Sequence, residues 1–123
     1  MGIKITIPVT FDTLNEVIDA NRTSKGSWNK GNSMKKRDQR VICSHLPKVR
    51  FKNPVFLSYH FYEPNRYRDK DNIAGYFHKI FQDALVQAGV IENDGWKNIT
   101  GFSDDFDVDK ANPRIEIEIE EIT

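Results

Sequence analysis

The apolar residues Ile73, Tyr76, Phe77, Ile80, Phe81, Ala84, Leu85 and Ala88 recur at helical spacing and stop just before Gly89. A stripe that wide has to be buried against a second layer. Glycine one step past the last apolar position suits a left-handed helix end. The second layer is legible immediately upstream. Across residues 55–62, Val55, Leu57, Tyr59 and Phe61 alternate with Phe56, Ser58, His60 and Tyr62. Both sets are largely apolar or aromatic, so the spacing predicts a central strand covered on two sides. On that reading His60 is a packed core histidine. Glu63 and Pro64 end the strand and hand the chain to residues 65–72, which lead into the helix.

The remaining elements are arranged around this pair. Ile3, Ile5, Ile7, Val9 and Phe11 alternate as a half-buried strand, with Pro8 marking an edge position or a strand end. Thr13 and Glu16 match a capping box for a short helix over residues 13–21. Residues 22–32 are polar, contain Gly26, Gly31, Lys25, Lys30 and Trp28, and read as a loop. A second helix is expected from Ser33, with Met34, Val41, Ile42 and Leu46 as its stripe, ended by Pro47. Beyond Gly89, Asp94-Gly95 is a turn signal, and Trp96, Ile99 and Phe102 read as a strand. Asp104, Asp105, Asp107 and Asp109 lack the Gly and Glu of an EF-hand loop and read as the solvated rim of a hairpin. Ile115, Ile117 and Ile119, alternating with Glu116, Glu118 and Glu120, form a closing strand.

A length of 123 residues corresponds to one domain whose core is small enough to benefit from a partner subunit. No apolar run approaches a membrane span, and the first residues lack a signal-peptide pattern. The single cysteine, Cys43, forms no internal disulfide, so a cytoplasmic location is expected. Cys43, His45, His60 and His78 have no zinc-finger spacing. The zero formal net charge hides a division. Residues 1–70 carry 14 Lys/Arg against 6 Asp/Glu, a net +8, and residues 71–123 carry 4 against 12, a net −8. Such asymmetry points to a nucleic-acid face, although two separately solvated halves would look the same.

The chemistry concentrates in residues 65–72. If that stretch is extended, Asp69 and Asp71 point the same way and can face one ligand. One or two carboxylates beside phosphate oxygens suit Mg²⁺. Arg66, Arg68 and Lys70 are interleaved with them and fit a polyanion. The alternative is a charged helix start, with Asp71 or Asn72 as the cap and Asp69 favouring the helix dipole. Lys25, Lys30, Lys35, Lys36 and Arg37 gather in the polar loop and the following helix and are expected to contact DNA phosphates. Trp28 inside that loop fits stacking on a base, or folding back onto the core.

Arg68-Asp69-Lys70-Asp71-Asn72-Ile73, followed by Gln82-Asp83-Ala84-Leu85-Val86-Gln87-Ala88-Gly89-Val90-Ile91-Glu92-Asn93-Asp94, resembles the RusA family of Holliday junction resolvases, in the form common in phage and prophage genomes. Asn112-Pro113-Arg114-Ile115-Glu116-Ile117 is similar to the family's last strand. The resemblance covers residues 55–120 and is looser before them. It implies an α/β (mixed α+β) single domain, a mixed β-sheet packed with helices, in a homodimer. By position, Asp69, Asp71 and Asp94 match the family's metal-binding aspartates, and Lys79 matches a helix lysine that assists catalysis. The helix here is about one turn longer between Asp71 and Lys79 than in shorter members. The implied cofactor is Mg²⁺, with Mn²⁺ as a substitute, and the implied partner is branched DNA, a four-way junction cut symmetrically in recombination and repair. A Mg²⁺-dependent nuclease for other branched DNA and a DNA-structure-binding protein without activity are the alternatives.

Chain length adds a constraint on the three aspartates. One continuous helix over residues 73–88 spans about 24 Å, with Asp69 and Asp71 before it and Asp94 after it. The five steps from Gly89 to Asp94 reach at most about 17 Å. The carboxylates therefore meet through a shortened or bent helix within one chain, or between two chains.

Overall fold

In a computed structural model, the described residues are 2–11, 16, 18 and 30–123, with side chains described from residue 33 in the last stretch. Of the helix expected over residues 13–21, only residues 16 and 18 are described, both helical, and the loop bearing Lys25 and Trp28 lies outside the described residues. The described elements are β1 (Gly2–Ile7), α1 (Lys30–Ser44), β2 (Val55–Glu63), α2 (Lys70–Gln87), β3 (Ile99–Val108) and β4 (Arg114–Glu121). The strands form one mixed sheet in the order β1-β4-β2-β3. β4 pairs antiparallel with both β1 and β2, whereas β3 runs parallel to β2. The result is a small mixed α+β domain. Among the described residues, no helix is long and apolar enough to cross a membrane.

Period two decides which side of the sheet is buried. Ile5 and Ile7, Ile115, Ile117 and Ile119, and Val55, Leu57, Tyr59 and Phe61 all face one layer of helices. From α2, Tyr76, Phe77, Ile80, Phe81, Ala84 and Leu85 close onto them. Phe77 packs edge-on against Tyr59 and Phe61, with centroids 5.8 and 5.7 Å away, and Phe81 meets Tyr59 the same way at 5.7 Å. Edge-to-face contacts add to the roughly 1.5–3 kcal/mol that burial of each large apolar side chain contributes. Burial also pushes the Tyr59 hydroxyl well above the usual phenol range, partly offset by a hydrogen bond from Gln82.

The other face of β2 departs from expectation. Phe56, Ser58, His60 and Tyr62 are half-buried rather than covered, because both helices lie on one side. His60 is no core histidine. Its Nε2 meets Asp107 Oδ2 at 2.6 Å, and its ring stacks on Tyr62 at 4.1 Å. Arg114 covers the Tyr62 ring at 3.7 Å and pairs with Asp109 and Glu116 at 2.8 and 2.7 Å. These Arg114 contacts, with Lys4 beside Glu116, hold both carboxyls below their usual range.

The acidic residues 104–109 are not a hairpin rim. β2 lies between β3 and β4, so these two strands do not pair, and Asp104, Asp105 and Asp107 belong to edge strand β3. Asp104 points to the helical side, where its Oδ1 meets His78 Nε2 at 2.6 Å between the rings of Tyr59 and Phe102. Two of the strand's aspartates thus meet histidines, on opposite faces of the sheet. Trp96 precedes this strand, in a turn, instead of starting it.

α1 begins earlier than Ser33, at Lys30, and runs in the same direction as α2. Asp38 of α1 is buried and accepts a 2.6 Å hydrogen bond from the Tyr76 hydroxyl, and Cys43 Sγ lies 3.9 Å from the Ala84 carbonyl. Burial pushes the Cys43 thiol up. At the far end of α2, Gly89 has φ +76°. Its N–H donates to Val86 O at 3.0 Å, and Val90 N–H donates to Leu85 O at 2.9 Å. This is a Schellman ending, as the glycine implied.

Candidate functional site

Because β2 and β3 are parallel and α2 connects them, the chain leaves β2 at its carboxyl end and enters α2 there. In open α/β sheets, the crevice at the carboxyl ends of parallel strands is the usual place for a ligand. Here it is a cleft of about 320 Å³, lined by the apolar Ile73, Phe106 and Val108, the cations Arg66, Arg68 and Lys70, the carboxylates Glu63 and Asp107, and Asn65. It adjoins an open depression bordered by Arg66, Arg68, Asp69, Lys70, Asp71 and Asn72.

Asp69 is the N-cap residue of α2, with extended backbone (φ −71°, ψ 142°), and its carbonyl accepts from Ile73 N–H at 3.1 Å. Its carboxylate makes no capping hydrogen bond. An aspartate at that position ordinarily spends its side chain on the exposed N–H groups. Asp71 lies in the first helical turn, so the stretch is not extended through both residues as the sequence argument assumed. Both carboxylates are nevertheless exposed and border the same depression. Among the described residues, neither is held in an ion pair.

The cations divide by role. Arg68 is a structural clamp: Nε and Nη2 donate to the buried Glu63 carboxylate at 3.0 and 3.3 Å, and Nη1 donates to Phe11 O at 2.6 Å. A further contact to Glu16 at 3.5 Å ties the chain's first segment to the end of β2. Arg66 and Lys70 are exposed on the rim, with Lys70 Nζ 5.6 Å from the Phe106 ring centroid. Between the two arginines, Tyr67 is 89% exposed. A ring presented to solvent beside cations can stack on a base, and sequence reasoning passed over it. Its signal was its place in a loop, where no apolar stripe claims it.

Lys35, Lys36 and Arg37 lie on the first half of α1. The parallel course of the two helices sets that half beside the first half of α2, on the cationic end of the sheet. Arg37 Nε is 3.1 Å from Asp38 Oδ1. Lys30 belongs to α1, but its side chain, like Lys25, falls outside the described residues.

Asp94 and Lys79 are not brought to this end. α2 has 18 residues, about 27 Å of helix, and carries the chain to the amino ends of β2 and β3. Asp94 lies there, in the loop just before Ile99, which is paired with Val55. Lys79 is eight positions beyond Asp71, about 12 Å along the axis, and pairs with Asp83 at 3.2 Å. Among the described residues, no group of three or more His, Cys, Asp or Glu side chains is placed to hold a metal ion. In donor chemistry, the exposed Asp69 and Asp71 fit a hard cation that keeps several waters, such as Mg²⁺. One chain supplies these two carboxylates without the third.

No protein-family model matches the chain, and no curated protein matches it. The likeness to RusA resolvases rests on the residues quoted above.

Proposed function

We propose that the protein is a Mg²⁺-dependent endonuclease acting on branched DNA, with the four-way junction as substrate and a homodimer as the working form. The observation that carries the reading is the Asp69 carboxylate. It stands at a helix start without capping it and borders one depression with Asp71, Arg66 and Lys70. That combination is wasteful for packing and apt for a phosphodiester beside a cation. Asp69 and Asp71 would hold the metal, while Arg66 and Lys70 orient the phosphate. The α2 N-terminus adds favourable partial charge. Tyr67 supplies a stacking surface for a base next to the held phosphate. Mg²⁺, when bound, lowers the pKa of water and polarises the phosphate. Junction specificity comes from the resemblance, and a two-fold enzyme suits a two-fold substrate.

A DNA-structure-binding protein without activity is the second reading, favoured by the separation of Asp94 from the other two aspartates. One experiment divides them. Labelled four-way junction, linear duplex and flap are each incubated with the protein, with and without Mg²⁺. We expect junction cleavage only with Mg²⁺. Asp69→Asn, Asp71→Asn and Asp94→Asn should each abolish cleavage while leaving gel-shift affinity equal or tighter. An Asp71→Asn protein that cuts at the full rate would remove the assignment, and a wild-type protein that binds without cutting would establish the second reading.

A further inference from the structure

Residues 33–52 contain seven Lys/Arg and a single acidic residue, Asp38, which is buried. On α1, Asp38 and Ile42 are buried while Lys36, Arg37 and Arg40 are exposed, so the outward face of the helix is a line of cations. Past Pro47 the burial alternates. Val49 and Phe51 pack against the core, and Phe51 N–H donates to Val90 O at 2.9 Å, whereas Lys48, Arg50 and Lys52 are exposed. This anchoring fixes three cations at the amino end of the sheet, beside the Gly89 end of α2. Among the described residues, none of the three side chains is held in an ion pair. We propose that Lys48, Arg50 and Lys52 form a second phosphate-contact strip, reached by a double-helical DNA arm that runs from the cleft along the outward face of α1.

Three observations favour a duplex arm as the ligand. First, the two cationic ends are joined by a cationic path. The cleft lies at the start of α2 and the strip at its end, about 27 Å apart for 18 residues, and α1 runs the same way beside it. At 3.4 Å per base pair, that distance is about eight base pairs of one arm. Second, the opposite side of the molecule repels a polyanion. The sheet face away from the described helices carries Asp105, Asp107, Glu116, Glu118 and Glu120 against Lys4 and Arg114. Glu121, which accepts from Asn53 N–H at 3.3 Å, bounds the strip on the sheet side. A field of that polarity turns DNA toward the helices. Third, the helix dipole does not account for the strip. Arg50 is placed to favour the end of α2, since its Nη1 lies 3.9 Å from where a Cβ on Gly89 would stand. That effect is confined to the last turn and leaves Lys48 and Lys52 unexplained. The proposal rests on reading the protein as DNA-binding, and not on cleavage.

The test is a binding measurement without Mg²⁺, on four-way junctions whose arms are closed by hairpins and have about 6 or about 15 base pairs, one too short for the strip and one long enough. The variant combines Lys48→Ala, Arg50→Ala and Lys52→Ala, with the urea midpoint checking that it folds like the wild type. On long arms the variant should bind at least about tenfold more weakly, and its slope of log K against log salt should fall by about 2.7 for three lost contacts. On short arms wild type and variant should bind alike. Glu118→Gln with Glu120→Gln, on the acidic sheet face, should leave the salt slope on long arms unchanged. A triple variant that keeps the wild-type slope on long arms overturns the strip. An equal loss on both arm lengths overturns the course along α1, because the strip would then touch DNA near the branch. Wild-type protein that binds neither junction removes the DNA reading and the strip with it. Wild-type protein that shows the arm-length difference but never cuts with Mg²⁺ removes only the nuclease reading.

Discussion

At its carboxyl end, the β2–α2–β3 unit gathers cations: Arg66 and Lys70 rim a cleft, and Arg68 is spent on holding the turn to the buried Glu63. At its amino end, a glycine-closed helix leads into a loop with Glu92, Asp94 and the exposed Trp96. The first end is fixed by side chains, through a guanidinium shared among Glu63, Phe11 O and Glu16. The second is fixed by backbone, through the Val86 and Leu85 carbonyls. The difference separates two kinds of requirement. A site for a polyanion needs its cations held in place, whereas a loop that presents a residue outward needs only a sharp, reproducible exit from the helix.

The strongest way to break the comparison is to cut the side-chain clamp. Arg68→Ala leaves the buried Glu63 carboxylate without its partner. The cost should be about 2 kcal/mol, below the 3–5 kcal/mol of a wholly buried pair, because the guanidinium is 26% exposed. Urea unfolding measures it, and a change under half that size would mean the turn is held by something else. At the other end the sensitive atom is in the backbone. Gly89→Ala places a Cβ on a residue at φ +76°, with Arg50 Nη1 the nearest atom at 3.9 Å, so no clash adds to the conformational cost. About 1–2 kcal/mol is expected, again read from urea midpoints.

The smallest effect on stability sharpens the cationic end instead. Lys35→Ala with Lys36→Ala should change stability by less than about 0.5 kcal/mol, as for surface positions generally. If both lysines touch phosphates, the slope of log K against log salt for junction DNA should fall by roughly 0.9 per lost contact. An unchanged slope would assign these lysines to solvent and confine the proposed DNA surface at this end of the sheet to Arg66, Lys70 and Tyr67.

Much of the architecture was legible in local pattern. The α2 stripe, its Gly89 ending, the core-facing set of β2 and the closing isoleucine strand appear as read, because periodicity reports which positions are buried together. The misreadings share one cause. His60 and the aspartates of β3 are polar, and pattern placed the histidine in the core and the aspartates on a rim. Pairing of β2 with β3 brings His60 to Asp107, packing of α2 on the sheet brings His78 to Asp104, and no local signal encodes those partners. The placement of the candidate residues was legible only in part. Asp69 and Asp71 were named from spacing, but whether Asp69 caps its helix depends on a side-chain torsion that sequence does not state.

By itself, the sequence determined the elements, the buried stripe of each, and the sign of charge at each stretch, since these follow from side-chain chemistry and a fixed repeat along the chain. Tertiary structure alone decided the strand order, which sets β2 between β3 and β4, and the placing of both described helices on one side of the sheet. It also decided that Asp69 and Asp71 stand at one end of the sheet and Asp94 at the other. The physical reason is geometric. A helix between parallel strands must return the chain along the whole length of the sheet, so residues on either side of it finish at opposite ends, however close they lie in the sequence.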